Sequence, residues 1–124
     1  MKISILLPYK ENFSPNYAGA VSLFVKDTVI NSKYSNSTYI FGNMDYKVPF
    51  LKNYININLK KSFLQSNSKN YIKRFIEKEK KINSDILEIH NRPNYVKYLN
   101  NIKDKKIILY FHNDPLSMNG SISI

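Results

Sequence analysis

Five short apolar runs mark out the chain, separated by polar loops and longer amphipathic stretches. Lys2–Leu7 (KISILL) is apolar on both faces of an extended segment, which predicts a strand covered from both sides. It stops at Pro8, before a polar loop. From about Ala18 to Ser32, Val21, Val25 and Val29 recur at helical spacing with Ala18, while Ala20 and Phe24 lie beside them, so a helix is expected. Ser37–Gly42 (STYIFG) reads as a second strand stopped by Gly42-Asn43, and Tyr54–Leu59 (YININL) as a short third. Ser62–Ile82 predicts a strongly basic amphipathic helix, with Tyr71, Ile72, Phe75 and Ile76 as its apolar stripe and Glu77 one turn before Lys81. Ser84–Asn91 (SDILEIHN) is the fourth strand. Pro93 opens a short helix, and Lys105–Asn113 (KKIILYFHN) is the fifth strand.

Strands that alternate with helices and are apolar on both faces predict an α/β fold: a Rossmann-like open parallel sheet of about five strands, helices on both faces. In such sheets ligands bind outside the carboxyl ends of the strands, where the strand order reverses. The loop Pro8–Ala20 and the chain's two histidines, His90 and His112, all fall at that end. Each histidine stands in a His-Asn step with a proline close behind.

With 124 residues the chain predicts a single domain, 1–124, and its 43% hydrophobic content is enough to build a core. The net charge of +10 suits an anionic partner, although abundant Lys, Asn and Ile also describe an ordinary lysine-coated surface. Cysteine is absent, so there is no disulfide and no thiolate chemistry. Only five apolar residues precede Pro8, too few for a secretory core, and no run approaches the roughly 18 apolar residues of a membrane span. The expected location is cytoplasmic, with room for contact at the inner face of the membrane.

The three glycines, Gly19, Gly42 and Gly120, form neither a dinucleotide fingerprint nor a P-loop, which argues against nicotinamide chemistry and ATP hydrolysis. Scattered aspartates without zinc-type spacing predict no metal site, and no serine sits in a nucleophile elbow. What remains is Ala18-Gly19-Ala20 at the mouth of the first helix, where a bare backbone and a positive helix end suit a phosphate or carboxylate. Close packing of helix on sheet would ask for the same glycine. His112 is either a ligand contact or a capped core histidine, and the same holds for His90. Arg92 can grip an anion with its fork, or stand solvated. Asn91 and Asn113 suit turns. Tyr9, Phe13 and Tyr17, in the first loop, are candidate ligand contacts.

The first strand, the AGAVS joint, DILEIHNRP and IILYFHNDPLSMNGS together resemble the N-terminal, acceptor-side half of GT-B glycosyltransferases, those of family 4 above all. The resemblance spans essentially all 124 residues, most firmly Pro8–Val25 and Asp85–Gly120. It implies a retaining transfer of sugar from a nucleotide-sugar to a saccharide or lipid-linked acceptor, with no further cofactor and no metal. It places the donor phosphates at Gly19, Ala20 and Val21, although Ala-Gly-Ala stands where many relatives have paired glycines. It places His112 beside the transferred sugar as the catalytic residue. His90, Asn91, Arg92 and Asn113 would line the acceptor side. The family's acidic donor motif belongs to a second half. The chain therefore reads as a truncated first half, inactive alone unless a complementary C-terminal half joins it, and its exposed sheet edge predicts self-association. Such enzymes often work on lipid-linked acceptors, and Lys69, Lys73, Arg74, Lys78, Lys80 and Lys81 would face anionic headgroups.

A non-catalytic basic α/β module that binds nucleic acid or acidic lipid is the alternative reading, and a small-ligand flavodoxin-like domain a third. Most aromatics fall inside predicted strands or on apolar helix faces rather than among lysines, so no specific nucleic-acid partner is expected.

Overall fold

A computed structural model describes residues 1–59, 66–99, 102 and 104–113. The elements are β1 (Ile3–Leu6), α1 (Ala20–Ile30), a short 3-10 turn (Ser35–Ser37), β2 (Thr38–Gly42), β3 (Tyr54–Asn56), α2 (Asn67–Ile82), β4 (Ile86–His90), a 3-10 helix (Pro93–Leu99) and β5 (Lys106–Tyr110). The five strands form one sheet in the order β3-β2-β1-β4-β5, and every pairing is parallel. This is the expected α/β, Rossmann-like open sheet. The chain first steps from β1 outward to β2 and β3, then returns through α2 to β4 on the far side of β1. The order therefore reverses between β1 and β4.

Because neighbouring strands are parallel, residues in one row share a face. Ile3, Ile5 and Leu7 of the first strand region join Ile40 under Val21, Val25 and Val29 of α1. Leu6, Phe41, Leu87 and Ile89 point the other way, against Tyr71, Ile72 and Phe75 of α2. Helices thus cover both faces, as right-handed crossovers in opposite directions require. The buried Tyr71 hydroxyl donates to the Leu7 carbonyl at 2.7 Å, tying α2 to the carboxyl end of β1.

Several elements are shorter than their sequence patterns. β3 ends at Asn56 because β2 ends at Gly42, and asparagine side chains take over the pairing. Asn43 Nδ2 donates to the Ile57 carbonyl at 2.6 Å, and Asn56 Oδ1 accepts from the Met44 amide at 2.9 Å. Ser66 caps α2, its hydroxyl accepting from the Lys69 amide; the expected start at Ser62 lies outside the described residues. Asn83 closes α2 in the left-handed conformation at φ 55°. Glu77 of α2 pairs with Arg74 at 3.5 Å rather than with Lys81. The segment after β4 is a 3-10 helix. No described helix is long and apolar enough to cross a membrane.

Candidate functional site

β1 runs out at Leu7, and the chain enters a loop that Phe13 anchors. Phe13 is fully buried, stacked on Tyr54 and edge-on to Phe50, so it is a core residue and not the ligand contact its place in the loop suggested. Tyr9 is half-buried, its ring edge-on to Tyr71, and its amide donates to the Tyr95 hydroxyl at 3.1 Å. Tyr17 is 81% exposed and free to meet a ligand. Lys10 and Tyr17 both sit at positive φ (66° and 55°), a conformation that costs non-glycine residues about 1 kcal/mol each. Between these two bends the loop turns Glu11 back onto the start of α1.

Glu11 Oε2 accepts a hydrogen bond from the Ser22 amide at 3.2 Å. Gly19 is the N-cap and supplies no side-chain cap, and the first turn of α1 holds no acidic residue. The carboxylate of Glu11 therefore supplies the negative charge that the helix end favours. A Cβ on Gly19 would overlap that carboxylate, whose Cδ would lie 2.7 Å away. Gly19 has φ −78° and ψ 162°, an ordinary extended conformation, so the position needs space and not glycine's backbone freedom. Ala20 is exposed and Val21 is packed in the core.

On the far side of the reversal, β4 and β5 bring the histidines together. His90 Nδ1 lies 3.0 Å from His112 Nε2, and His90 Nε2 lies 3.3 Å from Glu88 Oε1. Glu88 and His90 are two residues apart on one strand, so both point to the α1 face. Their side chains are 16% and 2% exposed. His90 stacks on Tyr110 at 4.7 Å with parallel rings, and Phe24 of α1 meets His112 edge-on at 4.9 Å. Phe24, 43% exposed, covers only part of this cluster. Burial, and then the neighbouring His90, hold the His112 imidazole below its ordinary pKa, while Glu11 pulls it the other way. Burial, and then Glu88, raise the Tyr110 phenol.

Asn91 adopts φ 57° and locks the ends of the two strands. Its amide donates to the Tyr110 carbonyl at 2.8 Å, and its Oδ1 accepts from the His112 amide at 3.2 Å. Arg92 Nη1 donates to the Asn91 carbonyl at 2.6 Å. Arg92, Asn91 and Asn113, with Ser68, Asn94 and Tyr95, line a polar cavity of about 310 Å³ on the α2 side. The candidate residues thus fall into two groups. Gly19, His90 and His112 gather on the α1 side of the carboxyl rim of the sheet, while Asn91, Arg92 and Asn113 surround the cavity on the α2 side. Among the described residues, no group of three His, Cys, Asp or Glu side chains is placed to hold a metal.

Sequence reasoning missed Glu11, Glu88, Phe24 and Tyr110 as members of this rim. A signal existed for Glu88, a charge inside an apolar strand at the period-two spacing from His90. None existed for Glu11, which reaches α1 only through the two left-handed bends of its loop. Compared with known protein families, curated proteins and solved structures, the chain shows no match.

Proposed function

We propose that this chain is the acceptor-binding domain of a GT-B type, family 4-like glycosyltransferase, and that the carboxyl rim of its sheet holds a sugar. The sugar would be transferred with retention from a nucleotide-sugar to a saccharide or lipid-linked acceptor, the nucleotide resting on a second, complementary half. One observation carries the reading. At the reversal between β1 and β4, a carboxylate (Glu11) and an imidazole (His112) share a rim with the part-exposed rings of Phe24 and Tyr110. Carboxylate and imidazole bond hydroxyl groups, and aromatic faces pack against the C–H faces of a sugar ring. The reversal point is where open α/β sheets bind ligands.

Within this reading the amides of Gly19–Val21 can turn to a donor phosphate only once Glu11 leaves the helix end. Arg92 and Asn113, across the rim, suit the acceptor. The test is a titration of 15N-labelled protein with neutral sugars: glucose, galactose, N-acetylglucosamine and lactose. At least one should shift the amides of Glu11, Gly19–Phe24, His90–Arg92 and Tyr110–Asn113, and His112→Ala should weaken that binding with the rest of the amide spectrum retained. Absence of shifts with every sugar, or shifts elsewhere on the fold, rejects the proposal.

A second reading has its own observation. Lys69, Lys73, Lys78, Lys80 and Lys81 all lie exposed on α2. They suit contact with an anionic bilayer, and a non-catalytic basic module would use them alone. Sedimentation with phosphatidylserine vesicles at rising salt separates the two. Binding lost with salt, together with no response to sugars, favours the basic module.

A further inference from the structure

We propose that Glu88 and His90 are positioning residues that make His112 Nδ1 the proton-accepting atom of the rim. Glu88 can only accept, so at 3.3 Å the facing His90 Nε2 must carry a proton. A neutral His90 then has a bare Nδ1. The His112 Nε2 that faces it at 3.0 Å must therefore donate, which leaves His112 with a bare Nδ1. Among the described residues, nothing donates to that atom. One buried carboxylate fixes both tautomers in sequence.

The arrangement also decides where a charge goes. A proton taken up at His112 Nδ1 lets the Nε2 proton pass to His90 Nδ1. The positive charge then rests on the buried His90, next to the Glu88 carboxylate, while His112 is neutral again with its proton at Nδ1. Other groups around the pair are Glu11 from the loop after β1, Phe24 from α1 and Tyr110 from β5. Of these Glu11 is the carboxyl group, and it too favours the protonated pair. The lowered proton affinity of His112 keeps Nδ1 free near neutrality, so it can receive a proton from a ligand hydroxyl. In the proposed transfer that hydroxyl is the acceptor's. Its O–H proton goes to Nδ1 as its oxygen bonds the anomeric carbon from the same face that the diphosphate leaves, as retention requires, and the bond from that carbon to the diphosphate breaks with its electron pair leaving on phosphate.

The inference rests on the rim being a hydroxyl-binding site, but its test separates the two. Long-range 15N–1H spectra of the unliganded protein should show both histidines protonated at Nε2 near pH 8. They should also show a coupling between His112 Nε2 and His90 Nδ1 across their hydrogen bond. Glu88→Gln keeps the shape and removes the carboxylate that faces His90 Nε2, so protonation of the pair should become measurably harder, with the amide spectrum otherwise retained. His90→Phe should abolish the coupling and the sensitivity of His112 to Glu88→Gln. No coupling, or an unchanged titration in Glu88→Gln, overturns the relay whether or not sugars bind. With the relay present, the sugar that binds most tightly should lose affinity as pH falls through the pair's first pKa. Binding that ignores that pKa overturns the role of Nδ1, and a relay seen with no sugar bound overturns the proposed function alone.

Discussion

Replacing Gly19 by alanine tests what fills the end of α1. The backbone there accepts any L-residue, so the cost in the folded state comes from the Glu11 carboxylate that a Cβ would displace. Pushed aside, Glu11 loses its charged hydrogen bond to the Ser22 amide, worth about 1.5–3 kcal/mol, and its favourable place at the helix end, about 0.3–1 kcal/mol. Glu11 is only half-buried and water can replace it, so we take the lower end, about 1.5–2 kcal/mol in all. Alanine returns about 0.5 kcal/mol by restricting the unfolded chain. Gly19→Ala should therefore destabilise by about 1–1.5 kcal/mol. In a Glu11→Ala background there is nothing left to displace, and the same substitution should stabilise by about 0.5 kcal/mol. Urea unfolding of the four proteins in this cycle gives a coupling of about 1.5–2 kcal/mol. Equal costs in both backgrounds would refute the assignment of Glu11 to the helix end.

Tyr71→Phe removes the donor to the Leu7 carbonyl and should cost about 1–2 kcal/mol by urea unfolding. Glu79, 2% exposed, accepts from the Ser84 amide at 2.7 Å and faces Lys105 Nζ at 3.7 Å. Glu79→Ala strands the Ser84 amide and hydroxyl, while Lys105 Nζ keeps its bonds to Asn83 Oδ1 and the Ser84 carbonyl, and should cost about 2–3 kcal/mol; Glu79→Gln, which keeps an acceptor, should cost less. His112 titrates below its ordinary value of 6.5 in the folded state, so the unfolded chain takes the proton first. Its contribution to stability is complete above pH 6.5, declines as pH falls below that and levels off under the folded pKa. His112→Asn should remove that part of the Tm-against-pH curve, and an unchanged curve contradicts the assignment.

Much of the fold could be read from the apolar pattern because a doubly covered parallel strand has few other readings. Ile3 and Ile5 serve one helix and Leu6 the other, as the two-sided run KISILL implies. The gathering of His90 and His112 followed from the same logic, since parallel strands deliver their last residues to one rim. Long-range side-chain bonds were not visible. Nothing in PYKENFSPNY separates Phe13, which sinks into the core, from Tyr17, which stays in water. Nothing there tells that Glu11 doubles back to Ser22 through bends at Lys10 and Tyr17. The third strand was over-read because Asn43 and Asn56 replace backbone pairing with side-chain amides, a substitution that alternation cannot reveal. Glu77 turned to Arg74 instead of Lys81 because exposed pairs at either spacing differ by only tenths of a kcal/mol.

The central claim is that the lip between β1 and β4 receives a sugar. Amide shifts on adding neutral saccharides test it most directly. Perturbed residues should cluster at Glu11, Gly19–Phe24, His90–Arg92 and Tyr110–His112, and the exposed lysines of α2 should stay unmoved. Perturbations confined to α2, or none with any sugar while anionic vesicles bind, would contradict it.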